Sequence, residues 1–270
     1  MEEPTANAVK DMARYFGADL VGIASVDRFE GAPAGHGPLD LVPKAKSVIV
    51  SGVRIPDPVV DYDGYHLKMA EMPPEMGIHA NIENFYMLMG HYTQDMMLNI
   101  IATRLANRLE TGWGLRTLPT PNAQHTGLGH PVMAAPFGFF SQRHAAVRAG
   151  LGEFGLSGLV ITPLYGPRVR YVSIITEAEL EPDPLLAEKV CMRGKCGGDA
   201  GPKCQQRCAK KALKLRPETV LNGGIFLNVP VSLDRPNCIS MTGDQGSFGC
   251  TFIGTCMREC PVGQKVTKRG

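Results

Sequence analysis

Residues 149–176 read Ala149-Gly-Leu-Gly-Glu-Phe-Gly155, Leu156-Ser-Gly158, Leu159-Val-Ile-Thr-Pro163, Leu164-Tyr-Gly-Pro167 and Arg168-Val-Arg-Tyr-Val-Ser-Ile-Ile-Thr176. A short helical stretch from His144 enters this glycine-dense turn. Gly150, Gly152, Gly155 and Gly158 remove side chains where backbone must pass close to a ligand or to another stretch of chain. Peptide N–H groups bared in this way can bind an anion or a cofactor edge. Two β-branched runs follow, 158–162 and 170–176, and each reads as a buried strand. The spacing is not the dinucleotide fingerprint, because no suitable strand leads in and no acidic residue closes a βαβ unit at the right distance. From the residues alone the motif is either a ligand loop or a point of tight packing. Arg168 and Arg170 at the mouth of the second strand suit a ligand's polar groups, a phosphate or nearby acids.

Upstream, residues 5–16 set Val9, Met12, Ala13 and Phe16 at helical spacing, with Gly17 as the C-cap. Segments 19–24 and 46–53 read as buried strands. Residues 82–111 carry a long helical pattern, broken near Gly90 and ended by Gly112-Trp113-Gly114. Met87, Met89, Met96 and Met97 on that pattern read as core filler, although methionine can also line an apolar cofactor face. The stretch 117–143, rich in Pro, Gly and His, reads as a long functional loop. Alternating helix and strand signals give an α/β class.

The eight cysteines all lie in the last third of the chain. They form two sets, Cys191-x4-Cys196-x7-Cys204-x3-Cys208 and Cys238-x11-Cys250-x5-Cys256-x3-Cys260-Pro261. A cubane [4Fe–4S] cluster needs four thiolates, and in two-cluster ferredoxins the last cysteine of each run serves the other cluster. On that rule one cluster takes Cys191, Cys196, Cys204 and Cys260, and the second takes Cys208, Cys238, Cys250 and Cys256. The spacings are wider than the compact ferredoxin run. Structural zinc and unligated core thiols stay open as alternatives.

Composition bounds the rest. At 270 residues, 44% hydrophobic and 20% charged, the chain has enough apolar mass for a packed core, which excludes wholesale disorder. A net charge of +2 gives no strong field for nucleic acid or an anionic membrane. There is no leader pattern at Met1-Glu2-Glu3-Pro4 and no apolar run long enough to span a bilayer, so a cytoplasmic location and metal or redox cysteines are expected. The cysteine step sets the expected domains: 1–187 as the α/β core and 188–270 as the cluster module.

The strings 149–155 and 158–170, followed by Leu180-Glu-Pro-Asp183, resemble the corrinoid-dependent reductive dehalogenases and are similar to epoxyqueuosine reductase. Both families follow this string with two ferredoxin-type cysteine runs. The resemblance is tight over 149–183 and loose over 54–143. It implies a nitroreductase-like core holding a base-off corrinoid, followed by a ferredoxin-like module with two [4Fe–4S] clusters. The candidate cofactor contacts are then Gly150, Gly152, Gly155, Ser157, Gly158, Thr162, Arg168 and Arg170. It also implies an oxygen-sensitive oxidoreductase that takes electrons from a low-potential ferredoxin or flavodoxin and reduces a small organic substrate. Family members place a Tyr or Asp proton donor upstream of the glycine motif. Tyr92 or Tyr86 matches the tyrosine, and His125, with His130, is a further candidate in the loop. Ala123 after Asn122 stands where dehalogenases tend to have Asp. By family analogy tRNA is the one nucleic-acid partner to consider, and a homodimer is left open. A corrinoid-free electron-transfer protein, or a corrinoid carrier on the same core, is the alternative reading.

Overall fold

The computed structural model describes residues 3–61, 86–121, 139–193, 195–208, 211–216, 224–234, 237–238 and 255–263. The chain divides into two compact units. The first comprises Met1–Arg54, Asp95–Glu153 and Val169–Glu188, and the second Ile55–Gln94, Phe154–Arg168 and Lys189–Gly270.

The first unit is built on α1 (Ala6–Tyr15), β1 (Leu20–Ser25), α2 (Pro38–Leu41) and β2 (Ser47–Arg54), with α3 (Asp57–Asp61) following in the second unit. Thr5 caps α1, its hydroxyl accepting the Ala8 N–H at 3.2 Å. Gly17 leaves the helix at φ +108°, a left-handed exit that glycine makes without a Cβ penalty. After α4 (Thr93–Trp113) come β3 (Thr117–Pro119), α5 (Gln142–Arg148), β4 (Glu153–Phe154), β5 (Val160–Ile161) and β6 (Val169–Thr176). A four-stranded sheet runs in the order β1-β2-β6-β3, with every pairing antiparallel.

The sheet is covered on both faces. Ile23, Ile49, Val172 and Ile174 share a core with Val9 and Ala13 of α1 and with Leu98, Ile101, Leu105 and Leu109 of α4. The α4 residues recur at steps of three and four, which is the buried stripe of a helix. Residues alternate faces along a strand, so Ser173 lies on the other side. There its hydroxyl bonds Gln142 of α5 at 2.6 Å.

The expected strands at 19–24, 46–53 and 170–176 correspond to β1, β2 and β6 within a residue or two. Two expectations are corrected. Part of the supposed loop 117–143 is strand β3, whose Thr117 pairs with Thr176 of β6. The methionines are not core filler: Met89, Met96 and Met97 are 42%, 65% and 40% exposed. The helix stripe that packs inward is the leucine–isoleucine one. Met87's side chain lies outside the described residues. The helical pattern changes character after Gly90, as a π-helical segment over Tyr86–Tyr92 passes into α4.

In the second unit, Ile55, Val59, Val60, Tyr86 and Met257 form a small apolar core. The shorter elements there are a 3₁₀ segment Lys195–Ala200, α6 (Lys203–Gln206), β7 (Leu213–Leu215), β8 (Val231–Leu233) and α7 (Thr255–Arg258). β7 and β8 form an antiparallel pair.

Candidate metal centre

Within the second unit the cysteines are carried by short, turn-rich elements. Cys196 lies in the 3₁₀ segment, Cys204 in α6, and Cys260 just beyond α7. Gln206 ties two loop carbonyls together, donating to Gly197 O at 3.2 Å and to Gly201 O at 2.5 Å. Arg193 pins the loop after Cys191. Its guanidinium lies 3.5 Å from the Phe226 ring centroid and donates to Gly224 O at 2.9 Å.

Cys191, Cys196, Cys204 and Cys260 line one cavity, together with Gly155, Ser157, Ile161 and Pro261. Burial pushes the Cys204 thiol up to about 12, and the neighbouring Cys191, Cys196 and Cys260 add to the rise. Cys260 is raised to about 11, mainly by burial. The Val262 backbone N–H and the charge of Arg168 act the other way on it. The Cys204 and Cys260 thiols are thus held neutral unless a cationic centre compensates the charge of their thiolates. Among the described residues no three His, Cys, Asp or Glu side chains converge tightly enough to hold a single metal ion. Of the other set, Cys208 is buried and accepts the Ala212 N–H on its sulfur at 3.3 Å. Cys238 and Cys256 are half-buried, and Cys250 lies outside the described residues.

The glycine motif divides its duties. Gly150 sits at φ +74°, and a Cβ there would stand 2.2 Å from Pro184 O, so it serves backbone-to-backbone packing. A Cβ on Gly155 would meet Ile161 at 2.6 Å, beside the cysteine cavity. Gly152 is buried. Gly158, at φ +73°, faces Val231 and Val229. Ser157 Oγ accepts the Leu159 N–H at 3.3 Å. Thr162 Oγ1 accepts the Tyr165 N–H at 3.0 Å and donates to Gly166 O at 3.1 Å.

Of the partners open to the two arginines, the structure shows nearby acids for both. Arg168 is wholly buried, 2.8 Å from Asp61 and 3.3 Å from Asp57. Arg170 in the first unit grips Asp95 through Nε at 2.6 Å and Nη2 at 3.2 Å. Asp57, Asp61 and Asp95 escaped the sequence reading. The one available signal was the spacing of Asp57 and Asp61, which places them one turn apart on α3.

The two tyrosines differ. Tyr86 is 7% exposed and packs in the small core, with its hydroxyl 4.0 Å from the Met257 sulfur. Tyr92 is 37% exposed, and its ring lies 5.5 Å from that of His91. His125 and His130 lie outside the described residues.

No protein-family model matches the chain. The tetrachloroethene reductive dehalogenase of Sulfurospirillum multivorans is 25% identical over 94% of this chain and 49% of its own length. That of Dehalobacter restrictus is 29% identical over 94% of this chain and 48% of its own. These relatives support the resemblance to the reductive dehalogenase and epoxyqueuosine reductase family. The chain spans about half the length of the curated relatives it matches. The fold is similar to that of solved structures. An epoxyqueuosine reductase, determined with a tRNA-Tyr stem loop, superposes with a TM-score of 0.56 at 20% identity, over 96% of this chain and 65% of that one. A catabolic reductive dehalogenase superposes with a TM-score of 0.57 at 16% identity, over 96% and 32%. Among the described residues no helix is long and apolar enough to cross a membrane.

Proposed function

We propose that this chain is an iron–sulfur reductase of the reductive dehalogenase and epoxyqueuosine reductase type, with one [4Fe–4S] cluster on Cys191, Cys196, Cys204 and Cys260. The observation that carries the reading is that those four cysteines line a single cavity. Four cysteines on one cavity match the four thiolates that a [4Fe–4S] cluster needs. A second cluster on Cys208, Cys238, Cys250 and Cys256 completes a ferredoxin-like module on residues 188–270. Electrons enter from a low-potential ferredoxin or flavodoxin and leave to a small organic substrate. Halide removal and epoxide reduction both suit such chemistry.

A corrinoid, when bound, supplies a low-potential cobalt centre for two-electron reduction of the substrate. Its support here is the family relationship. Among the described residues the glycine motif does not offer a corrinoid cradle: Pro184 fills the space beside Gly150, Ile161 that beside Gly155, and both arginines are engaged with carboxylates. That observation favours the second reading, a corrinoid-free two-cluster electron-transfer protein. Tyr92 is the residue we assign as proton donor, since its ring is half open to solvent whereas Tyr86 is sealed in apolar packing.

Anaerobic purification with added cobalamin tests all of this. About eight irons and eight sulfides per chain are expected, four for each cluster. Four or fewer would defeat the two-cluster reading. Stoichiometric cobalt selects the corrinoid enzyme, and its absence beside a full iron complement selects the electron-transfer protein.

A further inference from the structure

The turn between β5 and β6 is locked onto the segment that follows Cys260. Thr162 and Gly166 exchange backbone hydrogen bonds, each 2.9 Å. A Cβ on Gly166 would stand 2.0 Å from Val262 O, and one on Gly263 would stand 2.2 Å from the Tyr165 carbonyl carbon. Both glycines have positive φ, +57° and +80°. The interlock therefore needs glycine on each side for two reasons, space and conformation.

This turn delivers Arg168. Its guanidinium is wholly buried, bonds Asp57 and Asp61, and reaches the Arg258 carbonyl, two residues before Cys260, at 3.5 Å. Arg168 Nε has no hydrogen-bond partner among the described residues. A buried ion pair is no better for stability than a well-packed apolar pair, so a wholly buried arginine that reaches the chain two residues before Cys260 calls for another reason.

We propose that Arg168 is a positioning residue that sets the reduction potential of the centre held by Cys191, Cys196, Cys204 and Cys260. The inference rests on the iron–sulfur reading of that site. On reduction the cluster takes one electron from the external donor and gains one negative charge. A fixed cation nearby favours the more negative state and raises the potential. The carboxylates of Asp57 and Asp61 oppose it. Asp61, with its side chain 49% exposed, is the one that can be neutralised at small structural cost.

The test is an EPR-monitored redox titration of the reconstituted full chain. The relevant signal is the one that Cys196→Ser removes. Arg168→Gln is expected to lower the one-electron equilibrium constant at least about tenfold, a shift of about 59 mV to more negative potential. Arg168→Lys should recover most of that shift, and Asp61→Asn should move the potential the other way. Should Arg168→Gln fail to load iron, the sign of the Asp61→Asn shift decides. Loaded clusters with unchanged potentials in all variants would overturn the role of Arg168 alone. A wild-type chain that binds no iron at these cysteines would overturn the site and this inference together.

Discussion

Asp183 holds Ile23 from both sides of its peptide. Its carboxylate accepts the Ile23 N–H at 2.8 Å, and its own N–H donates to Ile23 O at 2.9 Å. Ile23 lies on β1, the edge of the sheet, where the outward backbone groups lack a strand partner. The same carboxylate takes Lys10 Nζ at 2.5 Å, and the Asp183 carbonyl accepts from Arg28 at 2.7 Å. The end of the Leu180-Glu-Pro-Asp183 string is thus a clasp for the sheet edge. Asp183→Ala leaves a strand N–H and a half-buried ammonium without their acceptor, at a cost of about 2–3 kcal/mol. Asp183→Asn keeps an acceptor and should cost about 1 kcal/mol. Urea denaturation of the three proteins checks both values. Equal midpoints for wild type and Asp183→Ala would refute the clasp.

Gly166→Ala is expected to uncouple Cys260 from its neighbours. Alanine at φ +57° costs about 1 kcal/mol by itself. The opposing atom, Val262 O, is backbone and cannot swing aside. The 260–263 segment must then move, and iron at the first cysteine set should fall by half or more. Gly31→Ala is the comparison, since φ there is +80° with nothing near the added carbon, and it should keep its iron.

Tyr92→Phe should reduce turnover at least about hundredfold if its hydroxyl delivers the proton, the usual size of a general-acid contribution. Iron content should not change. Tyr86→Phe should leave turnover within about threefold, because that hydroxyl faces the sulfur of Met257. The two variants are to be assayed side by side with reduced methyl viologen and a halogenated or epoxide substrate. The reverse ranking would transfer the role to Tyr86.

The parts of this molecule that were legible in the sequence share a local signal. The runs 47–54 and 169–176 are β-branched and buried along nearly their whole length, because helices cover both faces of their sheet. The α4 stripe repeats at helical period. The glycines carry the turn chemistry in their own identity. What was not legible depends on distant pairing. Arg168 finds its acids 111 and 107 residues away, and Arg170 finds Asp95 at a separation of 75. No local pattern announces a partner at such range. The strand expected at 158–162 shrinks to Val160–Ile161, because Thr162 turns the chain through its own hydroxyl.

His144 should make the first unit sensitive to mild acid. It lies in the first turns of α5, with Nδ1 2.7 Å from Ser141 Oγ. Burial, and then the charges of Arg148 and Arg143, hold its pKa down at about 4. The unfolded chain takes up this proton near the ordinary value of about 6.5. Between those values the unfolded state binds more protons, so stability falls as pH drops from about 6.5 towards 4. Below about 4 both states are protonated and the loss is complete. His144→Gln removes this contribution while keeping a polar group beside Ser141. Its unfolding free energy should therefore decline less steeply over that window, by up to about one proton's worth of slope. Urea unfolding at pH 7, 6 and 5 measures the slopes, and an NMR titration of the His144 ring in the folded protein gives its pKa directly. Parallel slopes for the two proteins, or a ring that titrates near 6.5 in the folded chain, would refute the assignment.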